Sequence, residues 1–204
     1  MSDRFSLGNV VWQSVTAPRS AARSILNAGF GWGVVGLIIA TTVVIDVLVY
    51  QAVSFTLPTP DPETTDPALL TALQLPGLSP LGMALRVISV FVVSALVSGA
   101  GRVFRHPAPY LRIVTAVAWV GLVLAILGAV QALCFFALPP ALLMLVEIAF
   151  SVVSIWVFAS FVAEALGVER TGRVVAVTFV VTLAFALLAM LALGSPVTAP
   201  PGGS

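Results

Sequence analysis

The sequence predicts an all-α polytopic membrane protein, with five transmembrane helices in a bundle and a short interfacial helix ahead of them. Three observations predict it. Hydrophobic residues make up 60% of the chain and charged residues 8%, whereas a soluble domain carries roughly a quarter charged residues to cover its surface. Five apolar stretches each reach the roughly 20 residues that a helix rising about 1.5 Å per residue needs to cross a hydrocarbon core near 30 Å thick. The arginines gather at alternate ends of those stretches. The mean hydropathy of +1.14 fits a chain whose solvent is largely lipid, and a backbone in lipid must satisfy its own hydrogen bonds, which makes each span a helix.

In chain order, residues 1–30 form a cytoplasmic segment. Within it, 18–27 reads as a short amphipathic helix, with Arg19 and Arg23 one turn apart and Ala22, Ile25 and Leu26 on another face, a pattern for lying in plane on the headgroups. The leader lacks the apolar core of a secretory signal before its arginines. The spans are 31–55, 81–104, 110–136, 140–166 and 172–193, together a five-helix domain over 31–193. Proline punctuates the breaks because it cannot continue a helix. Pro58, Pro60, Pro62, Pro67, Pro76 and Pro80 fill the first loop, where Asp66 and Pro67 form a cap-and-start signal for a short helix at 68–75. Pro107 and Pro109 separate spans two and three, and Pro139 and Pro140 separate three and four. The tail, 194–204, is small and proline-rich, a composition for disorder.

Orientation follows from the positive charges. Arg4, Arg19 and Arg23 precede span one, Arg102, Arg105 and Arg112 join spans two and three, and Arg170 and Arg173 join four and five. The loop after span one is acidic, with Asp61, Glu63 and Asp66, and the loop between spans three and four is uncharged. A cytoplasmic N-terminus and a periplasmic C-terminus in a cell inner membrane satisfy this asymmetry. With no lysine the chain has no Lys-rich patch for nucleic acid, which is not expected as a partner. The partners expected are the bilayer itself and other membrane proteins.

Ionisable groups inside spans are costly and face protein or water. Asp46, Arg86 and Glu147 are such groups, and with Gln131 they lie about 7 to 13 Å from the outer ends of their spans. Thr42, Asp46 and Tyr50 share one helix face, as do Glu147, Ser151 and Ser154. Arg86 is therefore expected to meet Asp46, Glu147 or both. With both acids the trio sums to −1, which predicts that one is protonated. The cluster reads either as a structural ion pair fixing helix register or as a proton or ion site. Its off-centre depth, and the absence of prolines inside the spans, favour the structural reading over the broken helices of transporters.

Small residues mark helix contacts. Ala118, Gly121, Ala125, Gly128 and Ala132 form a stripe along span three, Gly29 and Gly33 a GxxxG at the start of span one, and Ser94 and Ser98 a shorter repeat in span two. Phe30 and Trp32 suit the inner interface, and Trp119 and Trp156 read as packing residues. Cys134, the single cysteine, reads as a small buried apolar residue. With one His and one Cys no metal site or cofactor is expected, and His106 reads as a headgroup contact. No residue set suggests catalysis, so the chain is not expected to be an enzyme.

The order of these features resembles bacterial members of the Yip family, the Ypt/Rab-interacting membrane proteins. The resemblance rests on the proline-containing basic helix TAPRSAARSIL, five spans, the junction SGAGRVFRHPAPYLRIVTAVAW, and IWVFASFVAEALGVERTGRVVAV leading from span four into span five. It covers about residues 10–193. Where relatives carry a Gly-Gly-x-Gly stretch, this chain has Gly99, Ala100, Gly101 and Arg102, and it lacks the His-Gly pair that often follows span four. The acidic and glycine-tyrosine motifs of eukaryotic members are absent, so a Rab-type GTPase partner is not implied. The resemblance implies a five-helix fold, a cytoplasmic N-terminus, no catalysis, and a role as a scaffold or accessory subunit organising membrane proteins. A small transporter or channel using Asp46, Arg86 and Glu147 is the alternative.

Overall fold

The structure is a computed structural model that describes residues 7–55, 80–103, 105–169, 172 and 174. The predicted helix at 68–75, the fifth span beyond two of its residues, Arg4, Arg170, the Arg173 side chain and the tail lie outside them. The described chain is helical throughout its regular elements: α1 (Leu7–Thr16), α2 (Pro18–Asn27), α3 (Trp32–Ser54), α4 (Pro80–Val103), α5 (Tyr110–Ala137) and α6 (Pro140–Leu166). The last four are long and apolar enough to cross a membrane.

Local chemistry explains the boundaries. Pro18 disfavours helical backbone in the residue before it, and Ala17 adopts φ −140° and ψ 61°, ending α1 and starting α2. Pro140 occupies the first turn of α6, where its missing N–H costs nothing. At its far end Gly167 has φ 68°, and two amides turn back on the last helical turn, Val168 N to Ala163 O at 2.8 Å and Gly167 N to Glu164 O at 3.3 Å. That is a Schellman termination. The end of α4 has the same pair of bonds, His106 N to Gly101 O at 2.8 Å and Arg105 N to Arg102 O at 3.1 Å. There the left-handed position is filled by Arg105, at φ 61°.

The long helices alternate in direction. Trp32 and Tyr110, at the starts of α3 and α5, lie with ring centroids 6.5 Å apart. The end of α4 meets the end of α6, where Gly101 faces Leu166. One end of the bundle thus gathers Arg19, Arg23, Arg102, Arg105 and Arg112. Helix α5 is central: 61% of its most apolar window is buried, against 6–17% for the other three. Its arginine-end half, from Ile113 to Ala125, carries nearly all of its buried residues. Leu37, Leu48, Leu96, Met144, Leu145 and Ile148 stand exposed on the outer helices, a girdle that only lipid or another apolar partner can cover.

The N-terminal helices pack into this bundle. Pro18, Ala21, Ala22, Ile25 and Leu26 of α2 are buried, and the last four belong to the same core cluster as Trp119, Phe161 and Ala165. The reading of 18–27 as a helix with its apolar face on the headgroups is corrected here: that face rests on protein. Helix α1 was not anticipated. Its Ser14 is fully buried and accepts a hydrogen bond from Trp119 Nε1 at 3.1 Å.

Candidate functional site

Two polar constellations are built on this frame, one in the half of the bundle away from the arginines and one at its arginine end. In the half away from the arginines, Asp46 on α3 and Arg86 on α4 form an ion pair through Oδ2 and Nη1. Their helices run antiparallel, which brings residues about 12 Å from the end of α3 and about 9 Å from the start of α4 to a common level. Thr42, one turn before Asp46, faces α5, where a Cβ on Gly121 would lie 3.8 Å from its methyl group.

Arg86 makes no ion pair with Glu147, which has no cation within pairing distance among the described residues. Glu147 instead lines a separate hollow of about 250 Å³ between α3, α5 and α6, together with Gln131, Phe135, Gly128, Ala132 and Val53. The four polar residues grouped from the sequence are thus divided into an ion pair and a carboxylate–amide pair of lining residues. Ser151, on the Glu147 face, is exposed, and Ser154 bonds back to the Phe150 carbonyl at 2.7 Å.

The small-residue stripe of α5 is also divided. Ala118 and Ala125 are buried and Gly121 faces Thr42, whereas Gly128 and Ala132 open onto the hollow. Gly29 lies outside α3 with φ 66°, so Gly29 and Gly33 do not form a stripe on one helix. The glycine held by close approach is Gly101, where a Cβ would meet the His106 carbonyl oxygen at 2.9 Å and the Leu166 side chain at 2.7 Å. Cys134 is half-buried and Trp156 exposed, so neither is the core residue that its type suggested.

At the arginine end the organising residue is Glu164, in the last turn of α6. Arg19 Nε donates to its Oε2 at 3.2 Å and Arg23 Nε to its Oε1 at 3.1 Å. Arg19 also donates through Nη1 to the Glu169 carbonyl at 2.6 Å and through Nη2 to the Val168 carbonyl at 2.7 Å. One guanidinium therefore serves both the carboxylate and carbonyls just past the helix end, where the macrodipole favours a cation. The hydrogen bond and charge of Glu164 raise the Arg23 pKa above its ordinary value. Arg112 reaches toward the Glu164 carbonyl at 3.5 Å, and its Nε is buried without a partner. It borders a second hollow of about 210 Å³ with Leu26, Gly29, Phe30, Pro109 and Thr115. Arg102, Arg105 and His106 are exposed.

A family model for the Yip1 domain matches residues 12–191, from α1 through the four long helices and beyond. The chain belongs to the Yip1 domain family. No curated protein and no solved structure matches it. The family match begins at Trp12, within α1, and takes in all of α2. Sequence reasoning missed Glu164 and Ser14 as the residues that hold these helices. The sequence places Arg19 and Arg23 only as cytoplasmic charges on a helix lying on the headgroups. Their i, i+4 spacing, with Glu164 in the last turn of span four, was the available signal.

Proposed function

We propose that this Yip1 domain protein is a non-enzymatic scaffold or accessory subunit that organises other proteins in a cell inner membrane. The N-terminus lies on the cytoplasmic side in this reading, supported by the arginine asymmetry. The observation that carries the reading is the attachment of α1 and α2 to the bundle by Glu164 and by the Ser14–Trp119 hydrogen bond. A fixed helical pair at the membrane surface presents side chains in a set geometry, and Trp12 stands 69% exposed on it. Exposed aromatics on a rigid element are the residue type most enriched at the centres of protein interfaces. The exposed girdle of the long helices offers lateral contacts to membrane partners. A transport reading draws less support, because Arg86 is committed to Asp46 and the second acid lines a different hollow.

Tagged protein purified from native membranes in a gentle detergent, alongside Trp12→Ala, tests the proposal. A stoichiometric membrane partner that copurifies with the wild type and is lost from a folded Trp12→Ala protein is the expected result. Recovery of the wild type alone, monodisperse and folded, overturns it. Flux through proteoliposomes that disappears in Asp46→Asn would turn the assignment to transport.

A further inference from the structure

We propose that the outer hollow between α3, α5 and α6 binds the ammonium headgroup of an aminophospholipid, with Glu147 as its anion and Gln131 as a hydrogen-bonding neighbour. The inference goes beyond the scaffold reading and stands without it. Its starting point is a charge that the described fold does not balance. An ionisable side chain within a span pairs, or faces protein or water. Among the described residues Arg86, the cation at a similar height in its span, is held by Asp46, and Glu147 has no ion pair.

The surroundings specify the missing partner. The hollow holds about 250 Å³, room for a small cationic headgroup but not for a folded segment. Gln131 and Glu147 are its two lining residues with polar side chains, and Val53, Leu143 and Val146 contribute apolar walls. A Cβ on Gly128 would meet nothing within 4 Å, so the space above that glycine is open. Phe135 also lines the hollow, and an aromatic ring attracts a cation placed over its face. Glu147 lies about 10 Å from the start of α6, whereas the headgroup layer of one leaflet is about 5–8 Å deep. The carboxylate therefore sits just beneath the headgroups. Around it on α6, Met144, Leu145 and Ile148 are exposed, which gives acyl chains a surface to lie along. A cation tethered to such chains matches this entrance better than a free amine from water.

Native mass spectrometry of the purified protein with phosphatidylethanolamine or phosphatidylglycerol added tests the site. The wild type is expected to retain phosphatidylethanolamine about tenfold better, the scale of one charged hydrogen bond. Glu147→Gln should lose that preference, Glu147→Asp should keep most of it, and Gly128→Leu should lose it by filling the hollow with the carboxylate intact. If Glu147→Gln does not fold, the other two variants still decide. Equal retention of both lipids by the wild type overturns the proposal, as does an unchanged preference in Gly128→Leu. Displacement of the lipid by ethylammonium at equal concentration would overturn the lipid as its source.

Discussion

At the scale of single residues, the positions that matter are those where an atom has no room or a polar group has one partner. Gly101 is the first kind. A methyl group there would press on the His106 carbonyl oxygen, a backbone atom fixed by its own turn, at 2.9 Å. Gly101→Ala is expected to cost about 1–3 kcal/mol, read as a lower midpoint of thermal unfolding in detergent. Gly121 supplies the contrast, because a Cβ there lies at ordinary contact distance from Thr42, 3.8 Å. Gly121→Ala should shift stability by no more than about 0.5 kcal/mol. If both variants behave alike, close approach is not what selects glycine at 101. Ser14 is the second kind. It is the acceptor for the buried Trp119 Nε1, and Ser14→Ala leaves that N–H unpaired at a cost of about 1–3 kcal/mol. Ser14→Thr, which retains a hydroxyl, should recover part of the loss in the same thermal assay.

At the scale of elements, α2 is held less by its own propensity than by its two faces, since a ten-residue helix is marginal alone. Its apolar face lies in the core and its arginine face on Glu164. Glu164→Gln keeps the shape of the acceptor but removes its charge, so α2 should open more often. Proteolysis after Arg19 and Arg23 by trypsin is then expected to accelerate several-fold, and an unchanged rate would mean that apolar packing alone fixes the helix. Alkaline pH should have no such effect. Glu164 raises the Arg23 pKa above its ordinary, already strongly alkaline value, so the stability tied to that cation is fully present below that ordinary value and is lost only as pH rises through the higher folded one. Protection at about pH 10 should equal that at neutral pH. The helix at 18–27 was legible from Pro18 and from the 3.6-residue spacing of its apolar positions. Its surroundings were not, because an amphipathic pattern states that one face is apolar without stating whether lipid or protein covers it.

At the scale of the whole molecule, the long helices were legible because a membrane demands length and apolarity, which composition displays directly. Pairing was legible only in part. Arg86 had two acids at similar heights, and height along a helix does not say which face each acid turns to. Asp46 meets it and Glu147 lies across a different hollow. The alternation of helix directions does follow from contacts, since Trp32 meets Tyr110 and Gly101 meets Leu166. It makes a joint prediction with the arginine asymmetry. Ser24, exposed on α2, and Ala137, exposed at the far end of α5, must lie on opposite sides of the membrane. In a Cys134→Ala background, Ser24→Cys should react with a membrane-impermeant maleimide in inverted vesicles but not in intact spheroplasts, and Ala137→Cys should do the reverse. Reversal of both patterns would keep the bundle and overturn its orientation. Labelling of both from one side would break the alternation itself, and with it the common level that lets α3 and α4 bring Asp46 to Arg86.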